Sequence, residues 1–146
     1  MYCFNADPTG YVNFRVNVGG SQHNSGYYVS TDGSYGGSSP GSNYYKQMLW
    51  NSTDLQHGGW NAPTVNATGT NNGFSAEYTF YNPSETTFHK NVTVQFGSWE
   101  RANNYTYTGN SFLTVHTTSA LTGFTIQNNS GSTFRAGSKI SLYGLK

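Results

Sequence analysis

The sequence predicts an all-β protein, a single domain over residues 1–146, folded as an antiparallel β-sandwich of jelly-roll type with about eight strands. Three observations predict it. Apolar and polar residues alternate with a period of two in several stretches. Clusters of Gly, Asn, Asp and Pro interrupt these stretches about every 8–12 residues. Helix formers are scarce, because Gly, Ser, Thr and Asn supply 70 of the 146 residues. Too few Ala, Leu, Glu and Lys remain to build a helical bundle.

The elements follow in chain order. Residues 11–18 place Val12, Phe14, Val16 and Val18 on one face and Asn13, Arg15 and Asn17 on the other. Residues 26–30 carry Tyr27, Tyr28 and Val29 as a weaker strand. Residues 30–43, rich in Gly and Ser, read as a long surface loop. Residues 44–57 disagree with the β pattern and admit a short helix, with Tyr45, Met48 and Leu49 on one side. Residues 74–80 turn Phe74, Ala76, Tyr78 and Phe80 inward and Ser75, Glu77 and Thr79 outward. Residues 88–96 repeat the pattern with Phe88, Val92, Val94 and Phe96, broken by Lys90 as at a strand edge. Short strands are expected at 105–108, 112–117, 121–127 and 138–143. Asp32-Gly33, Asn82-Pro83 and Gly109-Asn110 read as turns. No internal repeat is visible.

Charge and composition exclude several functions. Seven Lys and Arg against six Asp and Glu leave a net charge of +1, with only 9% of residues charged. A nucleic-acid partner has no electrostatic footprint here, and no apolar run is long enough to cross a bilayer as a helix. Leu, Ile, Val and Phe total only 25, but nine Phe, twelve Tyr and three Trp offer an aromatic core that a disordered chain lacks. The single cysteine, Cys3, forms neither an internal disulfide nor a multi-cysteine metal site. That suits assembly in a reducing cytoplasm. The N-terminal residues lack the basic and apolar regions of a secretory signal. An unsignalled chain with an extracellular style of surface is what release by cell lysis would require.

Catalytic signals are weak. Glycoside hydrolysis needs two carboxyl groups about 5–10 Å apart. Of Asp7, Asp32, Asp54, Glu77, Glu85 and Glu100, only Glu77 and Glu100 sit where paired strands could bring them together, and solvated single charges are the commoner state. His23, His57, His89 and His116 show no metal-ligand spacing. Neither a nucleophile elbow nor a phosphate loop is present. No cofactor is expected.

The aromatics are the informative class. Rigid Tyr and Trp side chains serve interfaces well, and they equally fill cores in chains short of aliphatics. Trp50, Trp60, Tyr44 and Tyr45 crowd the non-alternating stretch and are the expected partner-contact patch.

The end of the chain carries a further pattern. Ser-Ala-Leu-Thr-Gly-Phe-Thr-Ile at 119–126 leads to Gln-Asn-Asn-Ser-Gly-Ser-Thr-Phe at 127–134. Arg-Ala-Gly-Ser-Lys-Ile-Ser-Leu-Tyr-Gly-Leu-Lys at 135–146 closes it. These 28 residues resemble the closing strands of structural proteins from tailed bacteriophages, centred on Gly137-Ser138 and Leu142-Tyr143-Gly144. In that pattern Gly137 permits a tight entry to the last strand, and Ile140 and Leu142 face the core.

The resemblance implies a non-enzymatic virion component, often a homotrimer, at the virion surface. Capsid decoration (cement) and tail-fibre proteins both fit. The chain shows no coiled-coil heptad, collagen repeat or separate anchoring segment. A decoration protein that binds and stabilises the capsid shell is therefore expected first, with other virion proteins as partners. A tail-fibre module that recognises host glycans, and a free carbohydrate-binding or hydrolytic sandwich, are the alternatives. Neither nucleic acid nor membrane is an expected partner.

Overall fold

Period-two alternation becomes strand wherever a neighbouring ladder accepts it. A computed structural model describes residues 3–4, 12–36, 42–57, 73–100, 105–128, 134 and 136–144. Among these residues the elements are all strands: β1 (Cys3–Phe4), β2 (Val12–Val18), β3 (Ser21–Gln22), β4 (Tyr27–Gly36), β5 (Ser42–Ser52), β6 (Leu55–His57), β7 (Gly73–Tyr81), β8 (Lys90–Glu100), β9 (Tyr105–Val115) and β10 (Leu121–Asn128). They form two antiparallel sheets. One has six strands in the order β1-β7-β8-β9-β4-β5, and the other pairs β10 with β2, and β2 with both β3 and β6. The all-β, two-sheet architecture expected from the sequence is the one observed. The strand order does not establish jelly-roll connectivity: β7, β8 and β9 follow one another in one sheet, and β4 and β5 form an adjoining hairpin.

The core lies between the sheets. Phe14 of β2 is fully buried and stacks on Tyr78 of β7 at 4.7 Å between centroids. It also meets Phe80 and Phe124 at 5.8 and 6.1 Å. Val16, Val29, Val92, Val94, Leu113 and Val115 fill the space around these rings. Burial of each such side chain contributes about 1.5–3 kcal/mol. Tyr27 of β4 closes the gap between β3 and β6 along β2. Its hydroxyl accepts the Val16 N–H at 3.0 Å and donates to the His23 carbonyl at 2.8 Å. Burial pushes the Tyr27 phenol up to about 12, against the weaker opposing pull of the Val16 hydrogen bond.

Several expected elements differ. The helix over 44–57 is absent. Residues 42–52 are β5, laddered along β4 from Gly36↔Ser42 to Tyr27↔Ser52. Met48 points to solvent and Leu49 to the core, so the supposed apolar helix face is split between two sides of a sheet. The expected loop over 30–43 is mostly strand. Asp32-Gly33 and Gly109-Asn110 are paired mid-strand, opposite one another on β4 and β9. The pieces at 105–108 and 112–117 join as one strand, β9.

Phe88 is exposed, not inward. Lys90, expected as a break at an edge, is 1% exposed and in phase with Val92 and Val94. Its ammonium donates to the carbonyl oxygens of Glu85, Phe88 and Thr118, which tie the β7–β8 and β9–β10 connections together. In the same loop Glu85 accepts the Thr86 and Thr87 N–H groups, each at 2.8 Å. The Thr87 hydrogen bonds foremost hold its carboxyl below the usual range.

The final strand over 138–143 is absent as well. Gly137 does take a positive φ of 93°, but Ile140, Leu142 and Tyr143 are exposed at 55, 75 and 72%. Two apolar positions in so short a stretch do not hold a strand without a ladder beside it.

Candidate functional site

The outer face of the six-stranded sheet is the candidate site. The inner-facing residues of β4, β7, β8 and β9 go to the core, so alternation sends their neighbours outward. Register then arranges these neighbours in rows across the sheet. Glu77, Gln95, Asn110, Asp32 and Lys46 are successive cross-strand partners on β7, β8, β9, β4 and β5. On one side lies the row Thr79, Thr93, Phe112, Ser30 and Met48. On the other lies Ser75, Gly97, Thr108, Ser34 and Tyr44. Adjacent strands stand about 4.8 Å apart, so the central row is about 19 Å long.

Two open grooves run along this face, of about 440 and 500 Å³. They share Asp32, Gln95 and Asn110. Tyr44 and Lys46 border the first, and Glu77, Tyr81 and Phe112 the second. The hydroxyls beside the row are partly spent on each other, as in Ser34 with Thr108 and Tyr81 with Thr93, both at 3.4 Å. Among the described residues, the five side chains of the central row make no side-chain hydrogen bond or ion pair. Their donors and acceptors face water.

An aromatic column closes one end of the face. Tyr28 stacks on His116 at 4.1 Å, and His116 stacks on His89 at 4.5 Å. Trp50 meets the other side of Tyr28 edge-on at 6.0 Å. Two backbone features build the column. Asn51 takes a positive φ of 52° opposite the register shift between β4 and β5, and its side-chain oxygen accepts the Gly26 N–H at 3.0 Å. Gly26, with φ of 72°, lies so close to His116 that an added Cβ would stand 3.1 Å from the His116 Cβ. The Gly26 carbonyl accepts the His116 N–H at 2.9 Å.

The expected contact residues divide as follows. Tyr44 and Trp50 are exposed at 85 and 72% on the outer face of β5, with Met48 between them at 65%. Tyr45 of β5 is paired with Gly33 of β4. Trp60 lies outside the described residues. Tyr27 and Tyr107 belong to the core. Glu77 and Glu100 are not brought together. Glu77 pairs with Gln95, and Glu100 lies five residues further along β8, about 17 Å away along the strand. Asp54, expected as a solvated charge, is buried at the corner between β5 and β6. It accepts from Asn13 at 3.0 Å and from Arg15 at 3.1 Å.

No group of three or more metal-ligating side chains occurs among the described residues. The central row escaped the sequence reading because Asp32 and Asn110 sit beside glycines and mimic turns. The polar positions 30, 32, 34 and 106, 108, 110 repeat with period two, and that was the available signal. No protein-family model, curated protein or solved structure matches the chain significantly.

Proposed function

We propose that this chain is a non-enzymatic structural protein of a bacteriophage virion surface, and that it works by adhesion through the outer face of its six-stranded sheet. The carrying observation is the exposed series Tyr44, Met48 and Trp50 along β5, the margin of that sheet among the described residues. Large apolar side chains standing in line at a sheet margin are contact residues in search of a partner surface. In the decoration reading this margin docks on neighbouring shell proteins, as a trimer, and the buried area adds to shell stability. One feature supports binding over hydrolysis. Asp32 and Glu77, the carboxylates of the central row, stand three strand spacings apart, about 14 Å. That exceeds the separation that glycoside hydrolysis uses.

Particles carrying Met48→Ser with Trp50→Ala test the docking. The expected result is loss of the protein from purified particles and a lower particle melting temperature. The isolated variant should keep its own melting temperature, because both side chains are exposed. Full retention on the particle would overturn the reading. Copies per particle then separate shell from tail, since a shell protein is present at capsid-like stoichiometry and a tail protein is not.

A further inference from the structure

The β5 margin accounts for docking, and the polar field beside it is left displayed. Resting on the reading of this face as a displayed contact surface, we propose that the row Glu77, Gln95, Asn110, Asp32 and Lys46 binds a linear, uncharged oligosaccharide lying across the strands. Four observations carry this.

The first is unspent hydrogen-bonding capacity. The row presents two carboxylates, two amides and one ammonium, none engaged with another side chain. Carboxylate and amide groups are planar and offer two polar atoms side by side, the shape that meets neighbouring hydroxyls on a sugar ring. The second is pitch. Each strand contributes one such group about every 4.8 Å, close to the length of one pyranose ring in an extended chain, so successive sugars meet successive strands. The third is the flanking surface. Tyr44 stands beside one groove and Phe112 beside the other. Their ring faces carry the negative side of an aromatic quadrupole, which attracts the C–H face of a sugar. The fourth is charge. Asp32 and Glu77 outweigh Lys46 by one negative charge, so a sulfated or carboxylated glycan, or a nucleic-acid phosphate, meets net repulsion. The centre of the field lacks the buried apolar anchor on which a protein partner would depend.

The test is calorimetric titration of the purified full chain. The probes are neutral glucose and N-acetylglucosamine oligosaccharides of two to six units, with a sulfated oligosaccharide as the charged control. The expected result is binding of at least one neutral series. Affinity should rise with length to about four units, the span of the row, and then level off. Asn110→Ala and Gln95→Ala should each weaken binding about ten-fold at unchanged melting temperature. Absence of binding by the wild-type chain overturns the proposal, as does binding that ignores both substitutions or that prefers the sulfated probe. If no sugar binds but Met48→Ser with Trp50→Ala still releases the protein from particles, the oligosaccharide groove fails and the docking margin stands. If neither effect occurs, both fail.

Discussion

Tyr27 shows how much one side chain decides. Its hydroxyl supplies the partner that the Val16 N–H lacks between β3 and β6, so both sheets depend on it. Tyr27→Phe preserves the ring and removes that partner. A buried, unpaired N–H costs about 1–3 kcal/mol, and urea denaturation should show a loss in that range with an unchanged slope. The phenol also links stability to pH. Its folded value of about 12 lies above the ordinary tyrosine value of 10.0. The folded state therefore holds its proton where the unfolded state has released it. This contribution is intact below pH 10 and fades as pH rises toward 12. Burial moves Tyr78 in the same direction. The alkaline fall in stability should be shallower in Tyr27→Phe than in wild type; an identical fall would remove Tyr27 from the account.

At the scale of elements, alternation was legible and interruption was not. Phe14 and Val16, or Val92 and Val94, announce their strands because the polar residues between them point away from the core. β4 and β5 were hidden for a physical reason. The outward positions of β4 carry Ser30, Asp32 and Ser34, whose local preference is for turns, while those of β5 carry Tyr44, Met48 and Trp50, which blur its alternation; cross-strand pairing on both sides of β4 overrides the turn preference. Lys90 was hidden likewise, since three carbonyls make its burial tolerable, those of Glu85 and Phe88 in the turn before it and that of Thr118 from the β9–β10 connection, and no pattern in the chain announces them. The corner after β5 is held from afar too. Asp54 ties it to β2 through Asn13 and Arg15, thirty-nine or more residues away in sequence. Asp54→Ala removes the acceptor of Asn13 and the charge partner of Arg15, which keeps only Gln22, and should cost about 3 kcal/mol. Thermal unfolding measures it, and a change within 0.5 kcal/mol, the usual scatter of a surface substitution, would show that the corner does not depend on this pair.

Across the whole molecule, the two faces of the larger sheet divide the work. The inner face meets β2 and β10 through aromatic and branched residues, while the outer face keeps polar rows with aromatic borders. Composition anticipated this division only in part. A chain rich in Tyr, Asn and Thr foretold both an aromatic core and an uncharged surface. It did not show that Tyr44 and Trp50 would lie outside while Tyr27 and Tyr107 lay within. Strand parity and register decide that, and register depends on contacts far apart in sequence.

The position of β5 at the margin of its sheet, where no strand among the described residues lies beyond it, has one more consequence. An eleven-residue strand so placed is a template on which further copies can add, rung upon rung. Lys46 is exposed midway along it, and a charge at such a position opposes edge-to-edge growth. Replacing it with valine should turn a well-behaved solution into one that thickens with concentration and binds amyloid dyes, while light scattering from the native chain stays flat.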